Sequence, residues 1–146
     1  MLTQEKYQRM KIDRRANGVV VVSLNRPEKM NAIDNQLHHE MMTFSRDFAD
    51  DPDLRVLVLA GEGKAFCVGG DFSADSAIDM PSLTEARRII DHILECEKPI
   101  ISAVQGYALG LGANIALLCD VVVAGPDAKF GDTHVKMGIG AGDGGQ

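Results

Sequence analysis

The chain has 146 residues, 45% of them hydrophobic and 25% charged, and its 15 basic and 21 acidic side chains give a formal charge of −6. That composition excludes the disordered and fibrous classes and is enough for one globular core of ordinary domain size. The acidic balance, with no basic run longer than Arg14-Arg15 or Arg87-Arg88, argues against a nucleic-acid partner, and no apolar run approaches the roughly 18 residues of a membrane span.

In chain order, residues 11–15 and 19–24 are predicted strands around Ala16-Asn17-Gly18, since Asn-Gly supplies the positive φ of a hairpin turn. A loop over residues 25–29 leads to Asp34, a helix N-cap, with Leu37, Met41, Phe44 and Phe48 at helical spacing after it. Asp50-Asp51-Pro52 ends that helix. Residues 55–60 are almost wholly apolar, which predicts a strand buried on both faces, and a glycine-punctuated loop over 61–71 follows.

Ser82 or Thr84 is the predicted cap of a second helix reaching about residue 97, and Pro99 stops it before a strand over 100–104. Gly110-Leu111-Gly112 then leads into a short helix over 113–119 that is apolar on nearly every face, with a strand over 120–124 beyond it. Strands alternating with helices of this length define an α/β domain. Cys67, Cys96 and Cys119 are odd in number and lack metal-ligand spacing, which predicts reduced thiols and a cytoplasmic chain. Residues 1–15 are too polar for a signal peptide.

Two glycine-rich turns carry the chemistry. Residues 61–71, Gly-Glu-Gly-Lys-Ala-Phe-Cys-Val-Gly-Gly-Asp, follow a buried strand, and residues 105–112, Gln-Gly-Tyr-Ala-Leu-Gly-Leu-Gly, open the short helix. Both offer N–H groups without partners, and two such donors meeting at one point would hold the oxygen of an enolised or attacked thioester. The same glycines also suit a phosphate cradle or plain turns. A Walker loop ending at Gly63-Lys64 is disfavoured by Val58 in place of its first glycine and Ala65 after the lysine. The GxGxxG match over 140–145 has no helix after it.

Three blocks carry a family resemblance: Asn25-Arg26-Pro27-Glu28-Lys29-Met30-Asn31-Ala32, then Gly63-Lys64-Ala65-Phe66-Cys67-Val68-Gly69-Gly70-Asp71, then residues 98–120. In order and spacing they resemble the crotonase (enoyl-CoA hydratase/isomerase) superfamily. The resemblance implies a spiral of ββα units, a homotrimer or a hexamer of paired trimers, and an acyl-CoA thioester held by the amides of Gly70 and Leu111. It also implies that coenzyme A enters only as part of the substrate, with no separate cofactor and no metal. Lys29 and Ala32, with Val68, Gly69, Asp71 and Phe72, would line its adenine and pantetheine portions, and Gly110 would relieve the second turn. Residues 1–146 would be the acyl-CoA-binding core, cut short of the family's C-terminal helical region.

The pattern departs from the family where hydratases carry two glutamates. The first position holds Asn114, whose amide cannot shuttle a proton and is left to orient a ligand or satisfy a buried group. The second holds His134, which titrates near neutral pH, and Asp143 nine positions later is the right kind of partner to fix its tautomer or is a simple turn residue. That His-Asp spacing is similar to the superfamily's carbon–carbon bond hydrolases of cyclic β-diketones. Three readings stand open: a hydratase or isomerase on acyl-CoA, a His-Asp hydrolase, and a non-catalytic CoA-binding protein.

Overall fold

The computed structural model describes residues 1–75 and 79–143, with the side chains of residues 80 and 82–84 left aside. Strands β1 (Met10–Arg14) and β2 (Val19–Leu24) form the expected antiparallel hairpin, with Asn17 at φ 65° in its turn. Helix α1 spans Asn35–Ala49, and Asp34 caps it by accepting from the Leu37 amide at 2.8 Å. Its apolar stripe, Leu37, Met41, Phe44 and Phe48, is fully buried. Strand β3 (Val56–Gly61), helix α2 (Met80–Leu94) and strand β4 (Ile100–Val104) follow. Strand β5 (Tyr107–Leu109), helix α3 (Leu111–Leu117), and strands β6 (Val121–Ala124) and β7 (Lys129–Gly131) complete the order.

Five strands make one sheet in the order β1-β2-β3-β4-β6, parallel except for the opening hairpin. Val20, Val22, Leu57, Leu59, Ile100 and Val104 from the sheet share one core with α1 and with Ala86, Ile89, Ile90 and Ile93 of α2. A second, smaller layer pairs β5 with β7, and bridges at Cys67–Ala108 and Ile33–Gly70 extend it. That layer carries both glycine-rich turns. The α/β class predicted from the alternation of elements is the observed one.

Several boundaries differ from expectation. Helix α2 starts at Met80, ahead of Ser82 and Thr84, because Pro81 sits in the first turn, where a missing N–H costs nothing. It ends at Leu94 and closes with Glu95 N–H on the Asp91 carbonyl at 2.9 Å. Helix α3 begins two residues earlier than predicted, taking in Leu111 and Gly112, and it is not apolar-buried all round, since Leu117 is 56% exposed. Strands β5 and β7, three residues each, are too short to leave a periodic signal. Strand β3 alternates between buried and partly exposed positions instead of being sealed on both faces. Every residue of β6 is exposed, including Val121, Val122 and Val123. Gly144 and Gly145, the end of the GxGxxG match, lie outside the described residues.

Asp51 ties the N-terminus to the core. Its buried carboxylate accepts from Arg14 Nη1 at 2.7 Å and from the Leu2 amide at 3.1 Å. The Arg14 hydrogen bond outweighs the cost of burial and holds the Asp51 carboxyl down at about 2, against an ordinary 3.8. A depressed carboxylate stabilises the fold fully above its unfolded value, and that share is lost as pH falls through about 2. The share is about 2 kcal/mol. Asp51→Asn is therefore expected to lower stability at neutral pH by about that amount and to flatten its decline between pH 4 and 2. Urea denaturation across that range checks both, and an unchanged acid limb in the variant counts against the pairing.

Candidate active site

The local chain explains how the two turns come together. Residues 67–70 run between Ile33 and β5: Cys67 N–H donates to the Tyr107 carbonyl at 3.1 Å, and Leu109 N–H to the Cys67 carbonyl at 2.9 Å. On the other side Ile33 N–H meets the Gly69 carbonyl at 2.8 Å, and Asp71 N–H the Ile33 carbonyl at 2.9 Å. The Gly70 amide between them takes part in neither ladder. Leu111 opens α3, where no preceding carbonyl of the helix reaches its amide. Neither N–H has a hydrogen-bond partner among the described residues. The turns touch directly: a Cβ placed on Gly69, whose φ is 90°, would lie 3.0 Å from the Leu109 carbonyl and 3.7 Å from the Leu111 nitrogen.

Both amides belong to residues lining one cavity of about 530 Å³. Val68, Gly69, Phe72 and Gly110 line it as well, and so do His134 and Asp143, with a Cβ on Gly110 placed 3.8 Å from His134 Cε1. Ala86 of α2, Thr133, Met137 and Ile139 complete an apolar wall that was not singled out in the sequence. Met137 and Ile139 follow a short turn at residues 134–137 and lack the spacing of any regular element. Three residues expected near a ligand lie outside the cavity lining. Lys29 reaches Asp75 at 3.2 Å, while Ala32 and Asp71 are buried. The Asp71 carboxylate pairs with Arg26 Nη1 at 3.1 Å, and the same guanidinium donates to the Ala32 carbonyl.

The three polar side chains singled out in the sequence converge. Asn114 Nδ2 donates to Asp143 Oδ1 at 2.7 Å, and His134 Nε2 lies 2.9 Å from Asp143 Oδ2. A fourth group was missed: Asp132 Oδ1 stands 2.5 Å from His134 Nδ1 and also accepts the His134 amide at 3.0 Å. The signal for it was local, because an Asp that bonds the backbone two residues on is an Asx turn. Burial lowers the proton affinity of His134, but the hydrogen bonds and charges of Asp132 and Asp143 outweigh it, so the imidazole titrates above its ordinary value. The stabilisation this gives is complete below the unfolded value and disappears as pH rises through the folded one. Asp132 is held below the ordinary carboxylate range, first by the His134 amide and then by its ring. Among the described residues no cluster of His, Cys, Asp and Glu suits a metal ion, and no helix is long and apolar enough to cross a membrane.

A five-stranded sheet packed on two helices, with a small second layer beside it, is the crotonase fold, and comparison with known proteins identifies the group. The enoyl-CoA hydratase/isomerase family model matches residues 14–146, and the chain belongs to that family. It is 40% identical over 132 residues to the (E)-benzylidenesuccinyl-CoA hydratase of Thauera aromatica, covering 87% of this chain and 51% of that one. It is 38% identical over 133 residues to the 2,3-dehydroadipyl-CoA hydratase of Escherichia coli, covering 90% of this chain and 52% of that one. The crystal structure of an enoyl-CoA hydratase from Bacillus anthracis superposes with a TM-score of 0.86 at 29% identity, over 94% of this chain and 55% of that one. The chain spans about half the length of the curated relatives it matches.

Proposed function

We propose that this chain supplies the thioester site of an acyl-CoA lyase or isomerase, with the amides of Gly70 and Leu111 as its oxyanion hole. The observation that carries the reading is the pair of N–H groups at one cavity that have no partner among the described residues. Two donors aimed at a carbonyl oxygen stabilise the negative charge that develops as the thioester enolises. The apolar wall of Phe72, Ala86, Met137 and Ile139 suits an acyl chain. Phe72 and Val68, which line the cavity, would meet pantetheine, and Lys29, outside the lining, would meet the adenine end. The exposed valines of β6 support a homotrimer or a pair of trimers, and three free thiols support a cytoplasmic setting.

With Asn114 and His134 in place of two carboxylates, crotonyl-type hydration is slow or lost. The contact of His134 with Asp143 favours a second reading, a hydrolase of cyclic β-diketones or thioesters working through that pair.

Leu111→Pro tests the oxyanion hole. Proline is accepted at the first position of a helix and removes the N–H, and because it also trims the buried leucine side chain, Leu111→Ala, which keeps the N–H, is the control. The variant is expected to lose about 100-fold in turnover or more, on whichever of crotonyl-CoA and a cyclic 1,3-diketone the protein consumes. Thermal melting checks that the fold survives. Full activity in a folded Leu111→Pro protein would remove the oxyanion hole, and His134→Ala assayed on both substrates separates the two readings.

A further inference from the structure

His134 and Asp143 do not have equal freedom to move a proton. The ring of His134 faces a carboxylate at each nitrogen, Asp132 at 2.5 Å from Nδ1 and Asp143 at 2.9 Å from Nε2. An imidazole that donates from both nitrogens has no lone pair left to accept anything. Asp143 receives one bond on each oxygen, from Asn114 Nδ2 at 2.7 Å on Oδ1 and from His134 Nε2 on Oδ2. A carboxylate has about four acceptor sites, so about two stay open among the described residues. It also lines the same cavity as Gly70 and Leu111.

We infer that Asp143 is the catalytic base of this site, and that Asp132 and His134 are positioning residues that aim and charge-balance it, with Asn114 fixing its second oxygen. The inference rests on the thioester reading and assigns its proton-transfer step. The Cα–H bond next to the thioester carbonyl breaks, and its proton bonds to an Asp143 oxygen. The electron pair left behind becomes the C=C bond of an enolate whose oxygen accepts from Gly70 and Leu111. Reversal delivers the proton to carbon and returns Asp143 to the carboxylate. The imidazolium of His134 stays charged throughout and offsets the Asp143 charge before transfer, while Asp132 keeps the ring from turning.

This division of labour differs from the usual assignment of acid/base work to a histidine. Asp132 is half-exposed at the rim, with 50% of its side chain accessible, whereas those of His134 and Asp143 retain only 12% and 9%. The chain of contacts runs from solvent inward to the carboxylate, and although His134 and Asp143 both line the cavity, only the carboxylate keeps open acceptor sites there.

The test is exchange of the α-hydrogens of butyryl-CoA in deuterium oxide, followed by mass spectrometry, beside binding of acetoacetyl-CoA followed by its enolate absorbance. Asp143→Asn is expected to slow exchange by about 100-fold or more while still binding acetoacetyl-CoA, and Asp143→Glu to recover part of the rate. His134→Gln is expected to cost about tenfold, less than the loss of the base itself. Asp132→Asn removes one carboxylate from His134, so the pH dependence of exchange moves to lower pH, a change that a merely structural role would not produce. Exchange in Asp143→Asn within about threefold of the parent protein overturns the inference and leaves the thioester site standing. An unmoved pH profile in Asp132→Asn overturns the positioning role, and parent protein that binds acetoacetyl-CoA without exchanging overturns the base. Failure of the parent protein to bind acetoacetyl-CoA at all sinks the thioester reading itself.

Discussion

Replacing Arg26 with alanine is expected to destabilise the fold by about 4 kcal/mol. The guanidinium is almost wholly buried and holds two carboxylates, Asp34 through Nε at 3.3 Å and Asp71 through Nη1 at 3.1 Å, and it donates to the Ala32 carbonyl. Each carboxylate has a second task. Asp34 caps α1, and Asp71 accepts the Ser73 amide at 2.9 Å just after the Gly69-Gly70 turn. Truncating the arginine would take a buried cation from both acids, leaving Asp34 with the half-exposed Arg9 guanidinium at 3.3 Å, and removing one partner of a buried pair costs far more than the pair itself contributes. Because Asp71 directly follows Gly70, the loss is also expected to loosen the turn that presents its amide. Urea denaturation measures the first effect and acetoacetyl-CoA binding the second. A variant within about 1 kcal/mol of the parent would mean that water already reaches the acids and that the clamp is ornamental.

The second large effect is expected at Gly112. A Cβ there would sit 2.3 Å from the Cys67 carbonyl oxygen and 2.8 Å from the Cys67 Cβ. The carbonyl belongs to the backbone and accepts from the Leu109 amide at 2.9 Å, so it cannot swing aside. Either α3 or residues 67–70 must shift, and these are the two segments that bear the Leu111 and Gly70 amides. Gly112→Ala is expected to cost about 3 kcal/mol and to reduce thioester affinity with it. Gly140→Ala is the control, since no atom lies within 4 Å of the Cβ it would add. Equal melting temperatures for the two variants would show that the contact between α3 and the first turn is not tight.

These two positions also mark how far the sequence could be read. The hairpin, α1 and its cap, and the strands before and after α2 follow from local signals: an Asn-Gly turn, an N-cap followed by a 3.6-residue stripe, and short apolar runs preceded by proline. The glycine turns were legible as places where a backbone approaches something. Arg26 was not, because its two acids lie 8 and 45 positions away and only the folded chain brings them together. Strands β5 and β7 escaped because three residues hold too little of a two-residue period to distinguish strand from turn. At the site, Asn114, His134 and Asp143 were singled out as types of chemistry. Which ring nitrogen meets which acid depends on the path of residues 132–143, and no spacing rule encodes that.

Strand β6 has a consequence of its own. It is the last strand of its sheet, with Val121, Val122 and Val123 uncovered on both faces and, among the described residues, no neighbour along its outer side. Such a row is a ready template onto which a foreign strand can add, with valine on each face to seal the join. Unless a partner subunit covers it, as in the proposed trimer, this edge is expected to draw chains together as concentration rises, which turbidity against protein dose would show. A lysine at position 122 or 123 would blunt that tendency without touching the cavity.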